Sequence, residues 1–421
     1  MKCLSQDSII AIIGALIADE LATLRPSDEQ LWKGRQWHPD TMITTRSRAR
    51  GESNEVEVDS FEWISIASRV VEFFQLDSSG VEDYLLRVSS LAQWAEVVTA
   101  SRTQGSKDIT FSTSGSTGKA KKCVQRWDNL VLEAEYFAHY FANIDAPVTR
   151  LISAVPPHHI YGFIFSVLLP EILDVPVMRG LKAFSLTQRQ ALSAGDLIVG
   201  FPGWYQQLAQ AQTEFAEGIN AVCSSGPVAG EVLQRLQQHG LAEVIEVYGS
   251  SETSGLGVRR ERGGWYKLLP RWQKKDAEHL TDIAMQAAVA LPDEVDWLDE
   301  SHFRPLARID HAVQVNGYNV YPKRVAAAIA EHRLVKTARV RLHEHDGGTS
   351  LKALMVPSQD ARLMPVDEII AQVREELMNQ LARIEVPRTF TVASHVPLND
   401  MGKETDWDPN AALIGYPVNE G

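Results

Sequence analysis

Cysteine is scarce in this chain: Cys3, Cys123 and Cys223 are the only three among 421 residues, widely spaced and without a CxxC pair. That usage excludes a disulfide framework, gives no zinc signature, and fits reduced packing cysteines in a cytoplasmic protein. Positive charge is also short, with 41 Lys and Arg against 54 Asp and Glu and a formal net charge of −13. An acidic balance opposes non-specific attachment to nucleic acid or anionic membranes, so any anion must be held locally. No segment reaches the roughly 18 apolar residues of a membrane span. The apolar N-terminal stretch SIIAIIGALIADEL is short, has only Lys2 before it and runs into acidic residues. It reads as an amphipathic or buried helix, not a signal peptide. Internal repeats and low-complexity tracts are absent too.

What is present is ordinary for a globular protein, with 44% hydrophobic and 23% charged residues. The length favours two domains, one large and one small. From about residue 109 to 250, β-rich runs (DITFS, LISAV, VPVM, DLIVG, INAVC, VIEVY) alternate with helical patterns, one starting near Asp128. Such alternation predicts an α/β fold with a largely parallel sheet flanked by helices. After residue 310 the pattern becomes a strand AVQV, a helix from about Pro322 to His332 and a hairpin around Gly347 and Gly348. A last helix carries Val366, Ile369, Ile370, Val373, Leu377 and Leu381 at 3.6 spacing. This is a small α+β domain, giving boundaries of 1–309 and 310–421. The stretch TTRSRARGESNEVEVDS, residues 44–60, reads as an exposed loop.

In doubly wound sheets, ligands sit beyond the carboxyl ends of the strands. Four loops follow strands directly: STSGSTGK, PPHHIYG, SSGPV and YGSSETSG. In the first, Gly115 and Gly118 permit close backbone approach, and N–H groups, hydroxyls and lysine can converge on a phosphate. It is not the common P-loop, because Lys119 is followed by Ala120 and not by Ser or Thr. In the last, an aromatic face suits a purine, and a carboxylate beside a hydroxyl suits a hard cation bridging phosphate oxygens.

Together these segments resemble the adenylate-forming superfamily of acyl-CoA synthetases, peptide-synthetase adenylation domains and firefly luciferase. TSGSTGKAK is similar to its phosphate loop, with Thr113, Ser114, Gly115, Ser116, Thr117 and Gly118 on the phosphates and Lys121 as the terminal lysine. YGSSETSG is similar to its YGxTE motif. The resemblance puts Tyr248 and Gly249 at adenine, Ser251 at the phosphates and Glu252 on magnesium, with Ser251 beside it. ARIDHAVQVNGYNVYP is similar to its hinge, which marks Arg308 for nucleotide binding, Asp310 as the pivot and Gly317 for the thioester-forming loop. Ala307 and Gln314 depart from the usual Gly and Lys there. Counting back from Arg308 gives Asp293 as the ribose ligand, with Asp296 the alternative. PLNDMGKETDW is similar to the C-terminal signature, which makes Lys403 the catalytic lysine, while Asp406 stands where arginine is usual. PPHHIYG matches an acid-channel segment, marking His159, Tyr161 and Gly162, with His158 as the other candidate. CSSGPV resembles a turn that touches adenine or the acyl group through Ser224, Ser225 and Gly226.

The resemblance implies a large N-terminal domain and a small mobile C-terminal lid. It implies an AMP-forming acid–thiol ligase using ATP and Mg2+, with the thiol of coenzyme A or of a carrier-protein phosphopantetheine as acceptor. HHIYGF with Trp204 and Tyr205 points to an aromatic acid. A medium-chain fatty acid, a phenylacetate-CoA-ligase-like enzyme and a nucleotide-binding module without ligase activity stay open. So does the cluster Arg259, Arg260, Arg262, Lys267, Arg271, Lys274 and Lys275, which is either a solvated face or a dock for coenzyme A phosphates or an acyl carrier protein. A homodimer is common among soluble enzymes, and the sequence says no more about oligomeric state than that.

Overall fold

The computed structural model describes residues 3–45, 54–113, 121–144, 147–260, 263–345, 348–361, 364–398, 404–409 and 413–414. These fall into two compact units. One comprises residues 3–113, 121–291 and 296–304, and the other 292–295 and the described residues from 305 onward.

The apolar N-terminal stretch is a helix of the first unit, Gln6–Leu24, capped by the Ser5 side chain, which accepts the Ser8 N–H. Ile9, Ile12, Ile13, Leu16, Ile17 and Leu21 are buried, so the run belongs to the core. No described helix is long and apolar enough to cross a membrane. The expected exposed loop at 44–60 is corrected in part. Met42–Thr45 and Glu55–Val58 are parallel partners, and helix Ser60–Phe74 starts from a capping box between Asp59 and Glu62. Residues 46–53 lie outside the described set. The signals were EVEV, whose alternation buries Val56 and Val58, and the Asp-x-x-Glu spacing of a capping box.

The alternating stretch builds most of a nine-stranded sheet. Its order is 293–297, 302–308, 266–268, 254–259, 243–250, 220–223, 196–200, 150–153 and 177–179. The strands Arg150–Ser153, Val177–Arg179, Asp196–Gly200, Asn220–Cys223 and Glu243–Ser250 are mutually parallel. Counted along the chain, these five run 2-1-3-4-5, the doubly wound order whose switch point lies between the first and third. Helices Pro202–Gln210 and Gly230–Gln238 pack Trp204, Tyr205, Leu208 and Leu236 onto Ile198, Ala221 and Val244 of these strands.

One strand had escaped the alternation reading. Ile109–Thr113 pairs antiparallel with Lys121–Gln125 before helix Trp127–Ala142 begins, so the phosphate-loop sequence joins two strands of a hairpin and does not run into a helix. Cys3, Cys123 and Cys223 are unpaired; Cys123 and Cys223 are buried as packing residues, and burial pushes the Cys123 thiol up to about 11, whereas Cys3 is exposed, against the expectation.

In the second unit, Val335–His345 and Gly348–Pro357 form the expected hairpin; Gly347 lies outside the described residues. Thr389–Ala393 joins in parallel, and helices Pro322–Glu331 and Val366–Gln380 contribute Val325, Ile329, Ile369, Val373 and Leu377 to one core. Before it stands a small hairpin, Val313–Val315 with Tyr318–Val320. Its two-residue turn is Asn316-Gly317 with φ of 48° and 88°, the left-handed pair that a type I′ turn needs and Asn-Gly supplies.

Trp204 is 1% exposed in the core of the first unit. Trp204→Ala is expected to cost about 3–5 kcal/mol in denaturant unfolding, the ordinary penalty for emptying a buried aromatic site.

Candidate active site

The charged centre of the first unit lies where two hairpins meet. Lys121 opens the second strand of the phosphate hairpin, directly across from Thr113. Its Nζ donates to Glu252 Oε1 at 2.7 Å. Four residues on, the buried Gln125 donates through Nε2 to the carbonyls of Ser251 at 2.7 Å and Glu252 at 2.9 Å. Glu252 and Ser251 form the tip between antiparallel strands Glu243–Ser250 and Ser254–Arg259. Burial raises the Glu252 carboxyl, but the hydrogen bond and charge of Lys121 outweigh it and hold the pKa below the usual glutamate value. Lys122, one residue on and so on the other side of the strand, pairs with Glu72 at 2.8 Å. Of the phosphate loop proper, Ser114, Gly115, Ser116, Thr117, Gly118 and Lys119 lie outside the described residues, and Thr113 is described by its backbone alone.

Tyr248 is half-buried on the strand leading to this tip, with its ring 5.5 Å from Tyr266 and 5.4 Å from Phe303. Behind them Arg259 stacks on Tyr266 at 4.4 Å and pairs with buried Glu246 at 2.5 Å. Glu246 in turn accepts the Val228 N–H at 2.8 Å, just past the turn Ser224–Ser225–Gly226, where Ser225 and Gly226 have φ of 66° and 125°. The basic cluster of the sequence is thereby largely accounted for. Arg259 serves Glu246, Arg260 pairs with Glu243, Arg271 with Asp282 and Lys274 with Glu300. Lys267 and Lys275 are exposed, and Arg262 lies outside the described residues.

At the switch point, the loop after Ser153 delivers His158 and His159, whose rings are 4.5 Å apart. His158 Nε2 faces Asp19 at 3.9 Å, while His159 is the N-cap of the short helix Ile160–Phe163. Tyr161 turns its hydroxyl onto the carbonyls of Gly200 at 3.1 Å and Val222 at 2.8 Å. Tyr205 donates to the same Val222 oxygen at 2.7 Å. Gly162 lies against the Pro156 carbonyl, so close that a Cβ would come within 2.0 Å of that oxygen. Trp204 and Tyr205 are core residues, 1% and 0% exposed.

The second unit holds its own group. Arg308 grips Asp310 through two hydrogen bonds, Nε to Oδ1 at 3.0 Å and Nη2 to Oδ2 at 2.7 Å. Tyr321 donates its hydroxyl to Oδ2 at 3.2 Å, and the Ala312 N–H donates to Oδ1 at 3.1 Å. The Arg308 bonds and these donors hold Asp310 down at about 2. Asp293 is 8% exposed and 3.4 Å from Arg308 Nε. Burial, with the nearby Asp310 charge, outweighs Arg308 and pushes Asp293 up to about 6. Gln314, where the resemblance expects lysine, donates to Asn319 across the small hairpin.

Lys403 lies outside the described residues, but the segment after it is firmly tied. Glu404 pairs with Arg339 at 2.6 Å. Asp406 accepts from buried Lys352 at 2.9 Å and Arg341 at 3.3 Å, and the Trp407 ring packs under both cations. Asp406, the departure from the usual arginine, is therefore an anchor.

The profile of the AMP-binding enzymes matches residues 109–294, the span that carries both hairpins and the switch point. A 4-coumarate--CoA ligase of Halorhodospira halophila is 32% identical over 407 residues, 96% of this chain and 100% of that protein. The chain belongs to the AMP-binding enzyme family. A second 4-coumarate--CoA ligase, from Cereibacter sphaeroides, is 30% identical over 96% of this chain and 97% of its own length. Among solved structures, an o-succinylbenzoate CoA synthetase of Bacillus subtilis has a TM-score of 0.57 at 16% identity, over 93% of this chain and 90% of that one. An amide bond synthetase of Marinactinospora thermotolerans scores 0.56 at 14%, over 93% and 92%. At those identities the structures establish the two-domain adenylate-forming fold. As a member of the family, the chain is an AMP-forming acid–thiol ligase.

Sequence reasoning within the family passed over Gln125 and Glu246, which lie outside every motif, and Tyr321, which lies inside the hinge motif but was given no role. For Gln125 and Glu246 the sequence signal was slight, a polar side chain on a strand where the alternation calls for an apolar one.

Raising the folded-state pKa of Asp293 to about 6 makes its stability contribution largest below pH 4, and that contribution is lost as pH climbs towards 6. Asp310 titrates near 2, outside this window. Unfolding measured from pH 4 to 7 should therefore show a falling component that Asp293→Asn removes.

Proposed function

We propose that this ligase activates an aromatic carboxylic acid and transfers it to coenzyme A. The acid's carboxylate oxygen attacks the α-phosphorus of ATP, the bond to the bridging oxygen breaks, and pyrophosphate leaves an acyl adenylate. The sulfur of coenzyme A then attacks the acyl carbon, AMP departs, and the thiol proton is released. The observation that carries this reading is the Lys121–Glu252 contact at 2.7 Å, which sets a cation for phosphate oxygens beside a carboxylate for magnesium. The pair is partly exposed, and such pairs contribute only about 0–1 kcal/mol, so exchanging it for ligand contacts costs the fold little.

Glu252 with Ser251 would hold magnesium, whose habit is one or two carboxylates plus substrate phosphates. Bound there, the ion supplies charge for the departing pyrophosphate. Lys121 and the backbone and hydroxyls of residues 113–118 take the phosphates, Tyr248 and Gly249 the adenine, and Asp293 and Arg308 the ribose. Lys403 offers positive charge to the reacting oxygens. His159, Gly162 and the turn Ser224–Gly226 border the acid, while the Tyr161 hydroxyl serves the strand ends. Residues 310–421 act as a lid turning about Asp310, which brings Gly317 to the pantetheine arm for the second step. The coumarate ligases that align over 96% of the chain support an aryl acid over a fatty acid, and coenzyme A over a carrier protein. We place the enzyme in the cytoplasm, where its three free cysteines stay reduced.

Acid-dependent ATP–pyrophosphate exchange across aryl and fatty acids tests activity and substrate class together. Exchange with a cinnamate or benzoate type is expected, followed by thioester formation with coenzyme A; exchange with no acid, despite ATP binding, would sink the ligase reading. Lys403→Ala should lower exchange by about 10²–10³-fold, as for loss of one preorganised charge, yet spare thioester formation from supplied acyl adenylate. Equal loss in both steps counts against its assigned role. Lys121→Ala should abolish most exchange while shifting unfolding by less than about 1 kcal/mol.

A further inference from the structure

Helix Trp127–Ala142 turns Leu130, Ala134, Phe137 and Phe141 into the core, and on that same stripe stands Glu133, 7% exposed. A carboxyl group in such a place is retained only where hydrogen bonds use it. Its Oε2 accepts the Gly255 N–H at 3.0 Å. Its Oε1 occupies the space a side chain at 255 would need, 2.5 Å from where a Cβ would sit. From the other side, Trp272 Nε1 donates to the Gly255 carbonyl at 2.8 Å. Both polar groups of one peptide residue are thus pinned by side chains from elsewhere in the first unit.

Gly255 follows the residue that closes the Glu252 tip. The loop is Ser251, Glu252 and Thr253, bounded by the pair Ser250 and Ser254, and Ser254 has a φ of 61°. A serine held left-handed in the pair that closes a hairpin loop is strained and persists only if its surroundings impose it. On its front the tip is held by Lys121 and Gln125. Glu133 acts from behind, on the strand the tip leads into.

We propose that Glu133 is a positioning residue for magnesium binding: by holding Gly255 it imposes the strained Ser254 turn and so presents Ser251 and Glu252 in ligating geometry. It touches neither substrate nor metal. Burial raises its pKa above the usual glutamate value, with the Ser254 hydroxyl, the Gly255 N–H and the charge of Arg271 acting against that. This inference rests on the reading of Glu252 as the magnesium carboxylate.

The test measures pyrophosphate exchange against magnesium concentration in the full-length enzyme, with KM for the acid as the internal control. Glu133→Leu should raise the magnesium needed for half-maximal exchange by about 5- to 30-fold, the ratio that corresponds to a strained backbone released, and leave the acid KM unchanged. Glu133→Gln, whose amide oxygen still accepts the Gly255 N–H, should stay within about threefold of the parent. An unchanged requirement in folded Glu133→Leu overturns the proposal, and so does an equal rise in both variants. Should Glu133→Leu fail to fold, Trp272→Phe, which removes the donor on the opposite side of Gly255, is expected to raise the requirement in the same way; no rise there overturns it. Glu252→Gln separates the two ideas: if that variant leaves the magnesium requirement unaltered, the magnesium reading fails, whatever Glu133 does.

Discussion

The meeting of two hairpin tips is the constraint on which the charged part of this enzyme depends. Neither tip carries enough chemistry alone: one brings Lys121, the other Glu252 and a backbone whose carbonyls Gln125 collects. The exposed ion pair is weak, whereas the bonds from buried Gln125 are made out of water, where leaving a polar group unsatisfied is costly. Registration of the two tips is therefore assigned to the amide.

A second constraint governs the acid side. Parallel strands that end in a buried layer leave carbonyl oxygens that need donors, and Tyr161 and Tyr205 converge on the Val222 oxygen while also reaching Gly200 and Ile198. Two aromatic residues that the sequence offered for a substrate pocket, Tyr161 and Tyr205, bond these strand ends through their hydroxyls.

The α/β architecture, the C-terminal α+β part and the motif order were legible because periodicity and short motifs are local properties. The missing strand Lys121–Gln125 was hidden by its own charge: KKCVQ buries only Cys123 and Gln125, so its alternation is polar. The small hairpin at Asn316-Gly317 had the strongest short turn signal available, yet it was covered by the motif it lies in. Glu133 stood in plain view as a lone acid on an apolar stripe, but its partner Gly255 is 122 residues away, and no spacing rule reaches that far. The pairing of Arg259 with Glu246 and of Arg271 with Asp282 was beyond reach for the same reason, and a run of cations looked like a surface.

The anchoring of Asp406 bears on how such enzymes exchange parts. Lys352 and Arg341 face this position, and Trp407 stacks on both. Grafting a relative's C-terminal signature, with arginine at that position, would press a third cation against a lysine that is 4% exposed. The terminal segment and the hairpin Val335–Pro357 are thus a matched set in which polarity is inherited jointly. Recombination within the family has to cut before residue 335 or carry both pieces together.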